Sequence, residues 1–176
     1  MSHDETYTTL LADHRAAVRE FTDKAGAVGA KAWLTPRAEG KWTPAQETRH
    51  LILAYQAITR DLLEGKTMRL RGTAWKRRLW RVIGMWTVLR RNRLIMGVSA
   101  PREVRPERET GSRDKLVPLL LQRASEFEAA VEFTRGKDPG RTITHPMMGA
   151  LTLAHSLKFC AVHARHHANF LPSVAP

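Results

Sequence analysis

One cysteine, Cys160, stands in a chain of 176 residues, so no disulfide can form within it. Nothing therefore argues for an oxidising compartment. Long apolar runs are missing as well. No uncharged stretch reaches the roughly 18 residues that a membrane-spanning helix needs. The opening residues, Met1 to Asp13, are polar and include Asp4, Glu5 and Asp13. They lack the basic start and apolar run of a secretory signal, which makes the cytoplasm the expected location. Runs of alternating apolar and polar residues between hairpin turns are not found, so strands are not expected. Internal repeats and low-complexity tracts are missing too. Paired carboxylates, a Gly-rich phosphate loop and a serine-based triad are equally lacking, which removes the chemistries built on them.

What remains is material for helices. A chain of this length suits one domain, residues 1–176, large enough to bury a core without staples. Leu10, Leu11, His14, Val18, Phe21 and Ala25 recur at helical spacing and predict a first helix over about Thr8 to Val28. The second has the clearest start. Thr43-Pro44-Ala45-Gln46 offers a capping hydroxyl, a proline at the first helical position and a glutamine to close a capping box. Its stripe of Leu51, Ala54, Tyr55, Ile58 and Leu62 ends near Gly65, and Trp42 sits where a hydrophobic staple would pack. A third helix follows Gly111-Ser112 and reaches about Gly136, with a start that Pro118 could displace by several residues. A fourth begins at Thr152 and runs to Pro172.

The charge is uneven. The chain carries +12, and thirteen basic residues between Lys66 and Arg108 face only Glu103 and Glu107, so this segment alone holds +11. Such concentration suggests an appended surface between the second and third helices, at about residues 66–111. Within it, Trp75, Leu79, Val82, Ile83, Trp86 and Leu89 lie on one helical face, which predicts a cationic amphipathic helix that could bend at Gly84. Pro101 to Gly111 reads as a loop. Arg77, Arg78, Arg81, Arg90 and Arg91 are its candidate anion-binding residues, for nucleic acid or a membrane surface. Alternatively the insert caps the bundle or forms a homodimer contact, with buried tryptophans and solvated arginines. Packing accounts for the tryptophan spacing without a partner. Trp80 falls among the basic residues and is expected at the surface.

Eight histidines remain to be placed. His163 and His167 are four apart on the last helix, so both rings project from one face one turn apart. That spacing offers two cis ligands to a metal. His50, beside the inward stripe of the second helix, is the natural third. Against this stands a bland reading. His50 could bond a backbone carbonyl at the core edge, and His163, His166 and His167 could form a solvated polar cluster.

The residues around them tip the balance. Trp42-Thr43-Pro44-Ala45-Gln46 followed by His50-Leu51 resembles the second-helix motif of the DinB-like superfamily. Thr144-His145-Pro146-Met147-Met148-Gly149-Ala150-Leu151-Thr152-Leu153, leading through Phe159 to His163-Ala164-Arg165-His166-His167, resembles its last-helix motif. The resemblance implies an all-α, DinB-like four-helix bundle, here with the extra basic helical insert. It also implies a divalent metal (zinc, nickel or iron) held by His50, His163 and His167, with open coordination positions. Characterised members of that superfamily include S-transferases that use bacillithiol, mycothiol or glutathione-like thiols. Two positions depart from the pattern: His155 stands where relatives usually carry glutamate, and Phe170 where a glutamine commonly follows the last histidine.

Cys160 precedes His163 by three residues and His167 by seven, on their face of the helix. It is a candidate fourth ligand or reactive thiol; the competing reading is a small buried residue filling space, as free cysteines commonly do. His145, before Pro146, reads as a turn residue, and His14 as core packing that could border a pocket. Two function classes follow. One is a metal-dependent enzyme, a thiol S-transferase or related hydrolase acting on a small-molecule substrate. The other is a non-enzymatic bundle with a structural metal that binds an anionic surface through its basic insert.

Overall fold

The computed structural model describes residues 3–69, 72–94, 99–108 and 110–172, apart from the side chains of residues 3–5 and of Arg77. Arg77, one of the candidate anion-binding residues, thus lies outside the described side chains, and Arg71 of the basic segment outside the described residues. Helix α1 (His3–Ala27) is followed by a single turn, α2 (Ala30–Trp33). Then come α3 (Pro44–Glu64), α4 (Ala74–Arg91), a 3-10 turn (Arg102–Val104) and α5 (Arg113–Lys137). Strands β1 (Thr142–His145) and β2 (Gly149–Thr152) precede the last helix, α6 (Leu153–Ala168). Helix α1 packs along both α5 and α6, and α3 along α5, which makes α1, α3, α5 and α6 the four-helix bundle.

The helix ends follow local chemistry. At the start of α3 the Thr43 hydroxyl accepts the Gln46 N–H, and the Gln46 side chain accepts the Thr43 N–H, closing the box around Pro44. Gly65 ends the helix in the left-handed conformation at φ 69°, where a side chain would be strained. Thr152 caps α6 by accepting the His155 N–H. With a histidine rather than a glutamate there, no reciprocal bond forms. Helix α5 begins at Arg113 after Ser112, and Pro118 sits inside it without displacing its start.

Four sequence expectations need correction. Strands do occur: β1 and β2 pair antiparallel, Thr142 opposite Thr152 and His145 opposite Gly149. Each has only four residues and one buried side chain, Ile143 or Leu151, too little alternation to read from sequence. Gly149, at φ 71°, closes the tight loop between them. Helix α4 is continuous across Gly84, where a Cβ would stand 2.8 Å from the Met148 sulfur. Second, the apolar stripe of α4 is not packed on the bundle: Trp75 is 64% and Trp86 51% exposed. Third, Trp80, expected outside, is half-buried instead. Fourth, Trp42 does not staple α3, because the residue it would meet is Glu47; it turns over the histidines instead.

A buried polar junction ties three of the bundle helices. His14 of α1 is fully buried, with Nε2 2.8 Å from the Tyr55 hydroxyl of α3 and Nδ1 2.7 Å from the Glu128 carboxylate of α5. Arg15 donates to the other Glu128 oxygen at 2.7 Å. Burial pushes the Glu128 carboxyl up, but the hydrogen bonds from His14 and Arg15 outweigh it and hold it below the usual value. A depressed folded pKa means that Glu128 stabilises the fold above its unfolded pKa, and that this contribution disappears as pH falls through the folded value. Glu128→Ala should therefore cost about 1–3 kcal/mol in denaturant unfolding at neutral pH, since it leaves the buried His14 Nδ1 without its partner. Glu128→Gln should flatten the acid limb of the stability–pH curve; an unchanged limb would assign that limb to other carboxylates.

Candidate metal centre

His50 sits on α3, two turns after the Thr43 cap, and faces α6 across the bundle. From α6, His163 and His167 project toward it from adjacent turns. The Nε2 atoms meet: His50 to His163 is 3.1 Å, and His167 to His163 is 3.0 Å. All three side chains are nearly enclosed, at 4%, 9% and 6% exposure.

The other ring nitrogens fix the tautomers. His50 Nδ1 lies 2.7 Å from the Val104 carbonyl oxygen, which can only accept, so this nitrogen carries the proton. His167 Nδ1 lies 2.5 Å from a Glu47 carboxylate oxygen and donates to it when Glu47 is ionised. Both Nε2 lone pairs then point at His163. One proton on His163 Nε2 can serve only one of them, so the cluster cannot satisfy itself by hydrogen bonding. A cation resolves this. At a metal–nitrogen distance of about 2.1 Å, cis ligands stand about 3.0 Å apart at right angles and about 3.4 Å apart in a tetrahedron. The separations of His163 from His50 and His167 lie in the range that cis ligands of one ion require. Among the described residues, these three are the group whose ligand atoms all lie within 4.8 Å of one another.

Electrostatics agree with neutral ligands. Burial pushes His50 down to about 4, against the opposing bond to Val104, and burial holds His163 and His167 well below the ordinary histidine value. The rings are thus neutral at neutral pH, each with one nitrogen free to bind metal. Burial raises Glu47 to about 7, partly offset by Arg37. A divalent ion behind His167 would draw that carboxyl back down.

Beyond the histidines opens a cavity of about 440 Å³. Trp42, Trp80, Met147, Phe159 and Phe170 supply much of its wall, with Arg37 and Lys41 as cations. Glu47, already bonded to His167, is the one carboxylate among the described lining residues. Trp42 lies with its ring centre 4.9 Å from that of His50 and nearly parallel to His167. Gly84, Thr87 and Val88 bring the inner face of α4 to the cavity.

His50, His163 and His167 are brought together as the sequence suggested, and the bland reading is half true: His50 does bond a backbone carbonyl. Cys160 is not part of the group. It is 3% exposed, and burial pushes its thiol far above the ordinary value, which suits a space-filling residue. His145 is more than a turn residue: it ends β1 and lines the cavity, with Nδ1 accepting the Met147 and Met148 N–H groups at 3.2 and 3.1 Å. His166 lines the cavity too. His14 belongs to the core junction. Sequence reasoning missed Glu47, although it stands three residues before His50 on the same helix face, and it missed Val104 and Trp80. Asp61 was missed as well. Its carboxylate accepts the Thr144 N–H at 2.7 Å, while its carbonyl accepts from Arg141 at 2.7 Å, anchoring the hairpin to α3.

Fold and site together define a four-helix bundle centred on a buried histidine cluster that could hold a metal ion. The family model of the DinB superfamily matches residues 10–171, nearly the whole chain. The chain belongs to that superfamily. It is similar in fold to the solved structure of YfiT from Bacillus subtilis, described as a probable metal-dependent hydrolase with an unusual four-helix bundle topology. That likeness has a TM-score of 0.60 at 16% identity and covers 97% of this chain and 86% of the other. No curated protein matches the sequence.

If the three imidazoles hold one ion, a His163→Ala/His167→Ala double variant should lose stoichiometric metal, read by elemental analysis of untagged protein. Glu47→Gln should retain the ion but weaken it by about 10–100-fold, since it removes the carboxylate that orients His167. Full occupancy in the double variant would refute the site.

Proposed function

We propose that this chain is a metal-dependent enzyme that activates a small nucleophile, a low-molecular-weight thiol, for attack on a small electrophilic substrate. One observation carries the reading: three neutral nitrogen ligands converge from one side, and the other side faces a cavity large enough for a small molecule. A bound divalent ion (zinc, nickel or iron) would supply Lewis acidity that lowers the pKa of a thiol or water in an open position.

The chain's own residues do the rest. His50, His163 and His167 hold the ion, and Val104 and Glu47 keep two of the imidazoles in register. Arg37 and Lys41 make the cavity wall cationic, which suits a carboxylate-bearing thiol. Arg37 is held in place over the Phe170 ring at 3.8 Å. Trp42, Phe159 and Phe170 exclude water from the reacting atoms. His145 has its Nδ1 occupied by two backbone donors, so its proton sits on Nε2, and burial pushes its pKa to about 4. It is built as a hydrogen-bond donor to the substrate, not as a base.

A hydrolytic version, with water as the nucleophile, is favoured by the description of YfiT. The cavity's shortage of free carboxylates speaks for the thiol, which needs no general base once its proton is acidified. The single buried cysteine suits work in the cytoplasm.

The cobalt-substituted protein tests the open site. Its visible spectrum should shift on adding a small carboxylate-bearing thiol, and Arg37→Ala should raise the thiol concentration required by about tenfold. Cys160→Ser should leave the spectrum of the thiol-free protein unchanged. A spectrum indifferent to thiol and altered by Cys160→Ser would make the site closed and structural.

A further inference from the structure

Helix α4 has two faces of different character, and the bundle uses only one. At about 100° per residue, Trp80, Gly84 and Val88 fall on the side that meets the cavity and the hairpin. Val88 is 1% exposed there, and Gly84 lies against Met148. The opposite side carries Trp75, Leu79, Val82, Trp86 and Leu89, which are 64%, 50%, 64%, 51% and 40% exposed. These five occupy an arc of roughly 80° running the length of the helix. Arg90 and Lys76 flank the arc on one side; on the other Arg78 borders it and Arg81 follows about 60° further round, toward the hairpin, all exposed. No acidic residue occurs anywhere in α4.

Two tryptophans and three aliphatic side chains in one continuous stripe are unusual for surface left in water. Charge decides what covers it. A second copy would bring two strongly cationic helices together with no acidic partner on either, within a segment of net +11. A nucleic acid would satisfy the arginines but leave Leu79, Val82 and Leu89 against phosphate and water. An anionic lipid surface satisfies both sets. The apolar arc enters the boundary between headgroups and acyl chains, tryptophans sit at interfacial depth, and the flanking arginines and lysine reach back to lipid phosphates. No helix among the described residues is long and apolar enough to cross a membrane, so the contact is in-plane.

We propose that the outer face of α4 docks parallel to an anionic lipid bilayer, with Trp75, Leu79, Val82, Trp86 and Leu89 inserted and Lys76, Arg78, Arg81 and Arg90 on the headgroups. This holds whether or not the metal centre is catalytic.

The test is co-sedimentation of the full chain with phosphatidylcholine vesicles, with and without about 30 mol% phosphatidylglycerol, at roughly 50 and 200 mM salt. Wild type should bind the anionic vesicles at least about tenfold more tightly than the neutral ones, and less tightly at the higher salt. Its tryptophan emission should shift to the blue on binding. The variant Trp75→Ser/Val82→Ser/Trp86→Ser keeps every charge, yet should bind at least about tenfold more weakly. Arg78→Gln/Arg81→Gln/Arg90→Gln should lose about fivefold per charge. Helical circular dichroism and metal content should match wild type in both; if the serine triple loses helicity, Val82→Ser alone must still weaken binding. Three results would overturn the proposal. The serine variants could bind vesicles as well as wild type. Wild type could prefer duplex DNA at equal phosphate with no blue shift. Or it could ignore vesicles and sediment as a dimer that the serine triple dissociates.

Discussion

Three imidazole nitrogens packed within 4.8 Å of one another, with His163 about 3 Å from each of the other two, cannot all be satisfied by protons, and this constraint organises the candidate site. The Val104 carbonyl and the Glu47 carboxylate commit two of the rings to present lone pairs inward. Without a cation, one of those lone pairs would lack a donor, at a cost that buried polar groups rarely carry. The elements around the cluster can be understood by how they support it. Helices α3 and α6 supply the histidines, and the 3-10 turn at Arg102–Val104 supplies the carbonyl that orients His50. Gln46, through its side-chain bond to the Glu107 carbonyl, ties the segment after that turn back to the start of α3.

The short hairpin has a comparable role for the cavity. Asp61 fixes it to the end of α3, and from there it delivers His145, Met147 and Met148 to the cavity wall. Its two strands contribute little burial of their own, and two such strands would not stand alone in water. Docked between α3 and α6, they turn the end of a helical bundle into a lined pocket. The contact between Gly84 and Met148 then lets α4 lie close on the same structure. A side chain at that position would have to displace Met148.

Helix α4 is where local pattern and tertiary setting diverge most. Its apolar stripe has the period of a packed helix, yet the bundle meets it on the other side, through Trp80, Gly84 and Val88. A stripe of period 3.6 says that one face avoids water. It does not say whether a bundle, a second chain or a lipid surface is what replaces the water.

Much of the fold was legible because helices are local objects. The Thr43-Pro44-Ala45-Gln46 box, Gly65 and Thr152 act within a turn of their own positions, so helix ends could be placed from sequence. Spacing also put His163 and His167 on one face, and the inward stripe of the second helix offered His50, which the motif resemblance then supported. The remainder depends on neighbours far away in the chain. Val104 reaches His50 across 54 positions and Glu47 reaches His167 across 120, and no periodicity encodes such pairings. The hairpin escaped because four-residue strands carry one buried side chain each, below what alternation can reveal. The sequence by itself determined the helices and which side chains share a face. Only the tertiary structure decided which faces meet, because that depends on long-range packing and on bonds to backbone carbonyls, whose direction residue identity does not specify.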